Sequence, residues 1–281
     1  MQGFPWWSLE HLPEPGNWTV EDIGAHLSNR TWLITKKQLG LTHAGVSQTK
    51  YLVKQFRHDQ EFGRDNKRVL TIDRYVAKLG LGPRIFFVSE EQGVVIYEHL
   101  DNPLLSEVTD NDLRIQRVGQ SLARIHQLTP ELQQVNLRTQ LEQYCVALAK
   151  YKPNDAARMR EDIASYQALF DKCEEQPQVF CHNDLSMDHI FVTPELKIID
   201  WEYAGYNHPG MDIAMAVVMN DLYEDEINCL LNEYNLHSAH SFTRDELPDW
   251  LRIVALVNRI WFKVQEAVAE SATAVVSADL T

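Results

Sequence analysis

Residues 181–214 hold the densest chemistry in this 281-residue chain. They read CHNDLSMDHIFV, a short turn, then KIIDWEYAGYNHPGMDIA. Two carboxylates stand out, Asp184 and Asp200, sixteen residues apart, each at the end of an apolar, strand-like run. A hairpin between them would fold both acids toward one cleft. One carboxylate that orients a hydroxyl and another that holds a divalent cation suit metal–phosphate chemistry. A single Asp is more often a turn or cap residue, so the pairing and the flanking runs carry the reading.

The elements that would position these acids follow from periodicity. Residues 1–18 contain Pro5, Pro13, Pro15 and three tryptophans, and read as an irregular arm laid against the body. Residues 19–22 (TVED) offer a hydroxyl cap and early acids, the pattern of a helix start. Residues 31–35 (TWLIT), 51–56 (YLVKQF), 84–88 (RIFFV) and 93–98 (GVVIYE) are short β-prone runs. A helix is expected over 65–79, stopped by Gly80 and Gly82-Pro83. Beyond Asp101, residues 109–128, 137–151 and 156–173 have helical apolar spacing. Strands return at 179–182 and 196–199, and helices resume from about Met211. The expectation is an α+β chain: a small strand-rich lobe over 1–98 and a larger helical lobe over 99–281.

His182-Asn-Asp184-Leu followed by His189, then Ile199-Asp200-Trp-Glu202, resembles the catalytic and metal loops of the aminoglycoside phosphotransferase and choline kinase superfamily. These are small-molecule kinases with a protein-kinase-like bilobal fold. The continuation through Asn207, Gly210 and Asp212-Ile-Ala is most similar to choline/ethanolamine kinases and bacterial thiamine kinases. Looser similarity covers Leu27-Ser-Asn-Arg-Thr31, Tyr51-Leu-Val-Lys54, Leu79-Gly-Leu-Gly-Pro83 and Leu122-Ala-Arg-Ile-His126.

The resemblance implies ATP and Mg2+ as cofactors and assigns roles position by position. Asp184 would be the catalytic acid that orients the acceptor hydroxyl, and Asp200 would ligate the metal. Lys54 would contact the α- and β-phosphates. Ser28 and Asn29 would lie in the turn that covers the nucleotide. The backbone of residues 97–100, with Glu98 and Leu100, would meet adenine. His182 and Asp212 would be structural, Asp212 by bonding the catalytic-loop backbone.

Three departures from the pattern stand out. His189 occupies the place of an Asn that would be the second metal ligand. Mg2+ prefers oxygen, so an imidazole there would tolerate Mn2+ as well; the bland alternative is a hydrogen-bonding histidine and a weak site. The turn 25–29 lacks the expected glycines, which implies modest ATP affinity. The helix over 65–79 has no Glu to pair with Lys54, and Asp73 is the only acid in its interior.

Substrate hints lean toward a small cationic alcohol. Glu202 brings negative charge to the acceptor side, and Trp201, Tyr203, Trp250, Trp261 and Phe262 could offer aromatic faces to a quaternary ammonium or thiazolium. Aromatics at helical spacing equally suit a core. The net charge of −14 argues against a nucleic-acid partner and against anionic lipid. Four cysteines without a C-x-x-C pair read as reduced thiols, and no apolar run is long enough to span a bilayer. The first basic residue is Arg30, so no secretory n-region is expected and the cytoplasm is the expected compartment. Oligomeric state stays open. Two rival readings remain: an antibiotic phosphotransferase, suggested by His189, and a catalytically inactive kinase fold that binds a ligand.

Overall fold

The computed structural model describes residues 3–14, 16–25, 29–38, 47–56, 65–174 and 177–278. The architecture is α+β and bilobal, and the chain divides into two units. The first takes the N-terminal strands, Asp65–Asn102 and Thr193–Ile199; the second takes Pro103–Val192 and the chain from Asp200 onward.

In the first unit, β1 (Thr19–Ala25), β2 (Asn29–Gln38), β3 (Ser47–Phe56), β4 (Ile85–Ser89) and β5 (Val94–Glu98) form one antiparallel sheet. Its order is β1-β2-β3-β5-β4. Alternation along β3 divides its side chains between two faces. Tyr51 and Val53 join Trp32, Ile34, Val94 and Ile96 on one face, covered by Phe4 and Leu12 of the N-terminal arm. Phe56 packs on the other face with Val95 and with Val69 and Leu70 of α1 (Asn66–Lys78). Lys54 is central in the sheet, opposite Thr31 and Val95. Asp65 caps α1 by accepting the Lys67 N–H at 3.0 Å, and Gly80, at φ +74°, turns the chain at its end.

The expected helix start over 19–22 is a strand. Residues 19–25 pair with β2 from Thr19↔Thr35 to Ala25↔Arg30, and Val20 goes into the core. The ladder satisfies more backbone groups than an isolated helical turn could, so pairing overrides the local cap signal. Asp22, whose charge suggested that cap, instead accepts from Arg30 Nε at 2.9 Å.

The second unit begins with α2 (Asn111–Ile125), α3 (Leu137–Ala149), α4 (Pro153–Ser165) and α5 (Gln167–Glu174). The short strands β6 (Val179–Cys181) and β7 (Ile190–Phe191) follow. The chain then visits the first unit, where β8 (Lys197–Ile198) donates the Ile198 N–H to the Leu81 carbonyl at 2.7 Å. It returns through β9 (Gly205–Asn207), which pairs with β6, and ends in α6 (Pro209–Met219), α7 (Glu224–His237) and α8 (Leu247–Ala278). No described helix is long and apolar enough to cross a membrane.

The single helix expected over 156–173 is two helices. Tyr166 separates α4 from α5 at φ −96° and ψ 7°, and its ring takes the Arg252 guanidinium of α8 at 5.5 Å. No Gly or Pro marks that break, so periodicity alone reads through it.

Helix α6 is the buried axis of this unit: every residue from Pro209 to Val217 is buried. A helix apolar on all sides belongs in a core. Gly210 lets it approach α8, because a Cβ there would collide with the Trp250 indole and the Phe242 ring. His208 caps α6. Its Nδ1 accepts the Gly210 N–H at 2.9 Å, and its ring stacks on Trp250 at 4.4 Å.

That cap is tied to pH. Burial pushes the His208 pKa down from 6.5 to about 4. Below pH 6.5 the unfolded chain takes up a proton that the folded ring refuses, so stability falls as pH drops and levels off only below about 4. A pH series of thermal midpoints should show this decline, and His208→Asn, which keeps a capping oxygen, should flatten it. An equally steep decline in the variant would show that His208 is not the titrating group.

Candidate active site

Strand β6 ends at Cys181 and delivers the loop 182–189. The loop turns at once: Asn183 sits in the left-handed region at φ 62°, a conformation that Asn tolerates better than most residues. Asp212 of α6 holds this turn. Its Oδ2 accepts the His182 N–H at 2.8 Å and its Oδ1 accepts the Asn183 N–H at 2.7 Å. Asp212 is fully buried, and burial alone would raise its pKa. The His126 hydrogen bond (3.2 Å) and the charges of His126 and His182 outweigh that and hold it below the usual carboxylate value. Tyr234 completes the anchor from α7, its hydroxyl 2.9 Å from His126 Nδ1.

Cys181 lies against the same anchor. Its thiol is buried beside His126 and pushed well above its ordinary value, by burial and then by the Asp212 charge. Among the described residues, His126, Cys181 and Asp212 form the one acid–thiol–imidazole group with donor atoms within 4.8 Å of one another. The chemistry is that of an anchor: a metal would need a thiolate, and Asp212 already takes two backbone N–H groups.

Beyond the turn, the loop forms a 3-10 turn over Met187–His189. Asn220 at the end of α6 braces it, accepting the Met187 N–H at 2.7 Å and donating to the Leu185 carbonyl at 3.1 Å. His189 Nδ1 lies 2.8 Å from the Asp184 carbonyl, which can only accept, so Nδ1 carries the proton. In the neutral ring the lone pair is then on Nε2, 3.8 Å from Asp200 Oδ2. Asp200 itself is left-handed, at φ 67°, and opens the 3-10 turn Trp201–Tyr203. An imidazole lone pair and a carboxylate oxygen at this separation fit a shared divalent cation, with the second ring nitrogen hydrogen-bonded as metal-binding histidines usually are.

The aromatic side chains expected near substrate separate into two groups. Trp201 is 2% exposed and lies flat over Phe180. Trp250 is buried under His208. Both are core, and the expectation that Trp201 offers a face to substrate is corrected. Tyr203 and Trp261 are half-buried and joined, Trp261 Nε1 donating to the Tyr203 hydroxyl at 3.2 Å. Phe262 extends the cluster, 64% exposed and edge-on to Trp261 at 5.1 Å. Glu202 is half-buried between Trp201 and Tyr203 in sequence.

The residues assigned to nucleotide lie in the first unit. Lys54 is half-buried on β3, its ammonium 5.2 Å from the Phe56 ring. Asn29 begins β2 and is buried, while Ser28 falls outside the described residues. Glu98 ends β5, and its carboxylate accepts the Arg84 N–H at 2.7 Å, so its side chain shapes the segment. Leu100 follows, half-buried. Asp73 is buried on α1 and accepts from the Tyr97 hydroxyl at 2.5 Å. His126, Tyr234 and Asn220 escaped the sequence reading as site residues, and only His126 lay inside a quoted motif.

A family model described as the phosphotransferase enzyme family matches residues 19–252. The chain belongs to that family. The match includes β1 through the start of α8, and so both the anchor and the His189–Asp200 pair. Among relatives of this phosphotransferase, choline kinase B1 of Caenorhabditis elegans is 50% identical over 44 residues, 15% of this chain and 12% of its own length. Protein LicA of Haemophilus influenzae is 28% identical over 165 residues, 56% of this chain and 61% of its own. Both matches thus span less than two thirds of the relative. The solved choline kinase LicA of Streptococcus pneumoniae superposes with a TM-score of 0.68 at 18% identity, covering 88% of this chain and 85% of that one. That likeness establishes the fold.

If Asp212 anchors the loop, removing its carboxylate strands the buried His182 N–H, the part-buried Asn183 N–H and His126. Asp212→Ala should cost about 3–5 kcal/mol of unfolding free energy in urea titration, the range for breaking one side of a buried charged pair. A loss under about 0.5 kcal/mol, the size of an ordinary surface change, would contradict the anchor.

Proposed function

We propose that this phosphotransferase is an ATP- and Mg2+-dependent kinase that phosphorylates the hydroxyl of a small cationic alcohol of the choline, ethanolamine or thiamine type. The observation that supports it is the loop pinned by Asp212, in which the Asp184 carbonyl accepts from His189 and the other ring nitrogen of His189 lies 3.8 Å from Asp200. The name of the curated relative choline kinase B1 supports the acceptor class.

In this reading Asp184 orients the acceptor hydroxyl and takes its proton as the oxygen attacks the γ-phosphorus in line. No phosphoenzyme is formed. His189 Nε2 and Asp200 would hold the cation, which would supply positive charge against the phosphates of the nucleotide. Imidazole in the set favours tolerance of Mn2+ beside Mg2+. Lys54 would meet the α- and β-phosphates, its stem packed in the sheet. Glu202 and the Tyr203–Trp261–Phe262 cluster would receive the cationic head of the acceptor through charge and aromatic faces. One feature favours a second reading, an aminoglycoside-type phosphotransferase: His189 at the position where antibiotic phosphotransferases can carry it.

A coupled assay of ATP consumption across choline, ethanolamine, thiamine and an aminoglycoside tests this. Turnover is expected with one of the first three and should drop at least about a hundredfold in Asp184→Asn, the contribution of a positioned base. Undiminished turnover in a folded Asp184→Asn would remove that residue from the mechanism. Calorimetry should show that Asp200→Ala loses metal-dependent nucleotide affinity; unchanged Mg·ATP affinity would count against it as ligand. Nucleotide binding without turnover on any acceptor would move the acceptor outside this class, and no nucleotide binding at all would favour the inactive kinase fold.

A further inference from the structure

Asn183 stands between the loop histidine and the catalytic acid, and its side chain makes two directed bonds over long sequence distances. Nδ2 donates to the Tyr203 carbonyl at 3.0 Å. Oδ1 accepts from Asn207 Nδ2 at 3.2 Å. Asn207 is itself fixed, its Oδ1 accepting the His208 N–H at 2.9 Å. At the other end, the Tyr203 hydroxyl accepts from Trp261 Nε1 at 3.2 Å. A continuous chain of hydrogen bonds therefore runs from β9, through the amide beside Asp184, into the turn that bears Glu202 and Tyr203, and on to α8.

The left-handed backbone does not by itself call for this side chain. At φ 62° glycine would be free of strain, whereas Asn carries some. What glycine cannot supply is the bridge. Asp212 already fixes the loop through the backbone N–H groups of residues 182 and 183, which any residue offers. The amide thus adds something the anchor does not: it ties the acceptor-side turn to the loop at the residue next to the acid.

We infer that Asn183 is a positioning residue which sets the acceptor-side turn, residues 201–203, against Asp184 and thereby governs use of the acceptor and not of the nucleotide. This rests on the proposed kinase function. Displacement of about 1 Å between reacting groups is enough to cost up to about a hundredfold in rate. His189 has its own brace in its bond to the Asp184 carbonyl, and the bridge meets the turn at Tyr203, three residues past Asp200, on the side of Glu202 and Trp261.

The test is steady-state kinetics of Asn183→Gly, with acceptor varied at saturating Mg·ATP and then the reverse. The variant keeps the left-handed backbone and both bonds to Asp212 but deletes the bridge. Expected is a fall of about tenfold or more in kcat/KM for acceptor, with KM for acceptor raised and KM for Mg·ATP within about twofold of wild type. A second variant, Asn207→Asp, keeps the oxygen that accepts from His208 and removes the donor to Asn183; it should shift the same constant in the same direction. A merely structural role would lower kcat through the active fraction, counted by Mg·ATP binding stoichiometry, and leave both KM values alone. That result overturns the inference, as does a KM for Mg·ATP that rises in step with the acceptor's. Wild type assayed alongside separates the two claims: turnover in wild type matched by Asn183→Gly overturns the inference and leaves the kinase standing, whereas no turnover in wild type on any of the cationic alcohols removes the proposed acceptor class and the inference together.

Discussion

One buried carboxylate organises the second unit. Asp212 has no access to water, and an isolated charge there would be prohibitively expensive. It is tolerated because two backbone N–H groups and an imidazole surround it, and those two N–H groups belong to the loop that leads into Asp184. The helices serve this arrangement. Helix α6 carries the acid, α2 ends at His126, α7 supplies Tyr234, and α8 closes on α6 through Trp250. Conversely, the loop neutralises a charge that the core could not otherwise hold, so the packing and the site stabilise each other.

Two left-handed residues, Asn183 and Asp200, give the site its shape. Each directs a functional group while the neighbouring residue is buried: His182 beside Asn183, Trp201 beside Asp200. Backbone strain of this kind persists only where the surroundings over-determine it. At Asn183 the carboxylate of Asp212 holds the backbone while the residue's own amide is bonded to Tyr203 and Asn207. The proton on His189 Nδ1 belongs to the same logic, since a carbonyl bond selects which ring nitrogen faces Asp200.

Much of this was legible in the sequence. Strong alternation and apolar runs located β2 through β5, and flanking glycines bounded α1. The acids at 184, 200 and 212 stood out because their motif fixes residue type and spacing together. Failures came where tertiary contact decides. Residues 19–22 carry a good helix cap, yet a neighbouring strand claims them. Tyr166 has nothing local to mark a break. Trp201 and Trp250 have the spacing of core and of ligand faces alike, and only burial tells them apart from Trp261 and Phe262. The bridge from Asn183 to Tyr203 and Asn207 joins residues 20 and 24 positions apart, a relation that no local pattern encodes.

Cys181 immediately precedes the loop 182–189, and its thiol is buried in the anchor, where burial pushes its pKa well above the ordinary value. Oxidants and alkylating reagents attack the thiolate at an accessible sulfur. The chain thus keeps a cysteine three residues from Asp184 with its sulfur out of contact with solvent. Peroxide or a thiol-directed reagent would have to open the anchor before it could reach this sulfur.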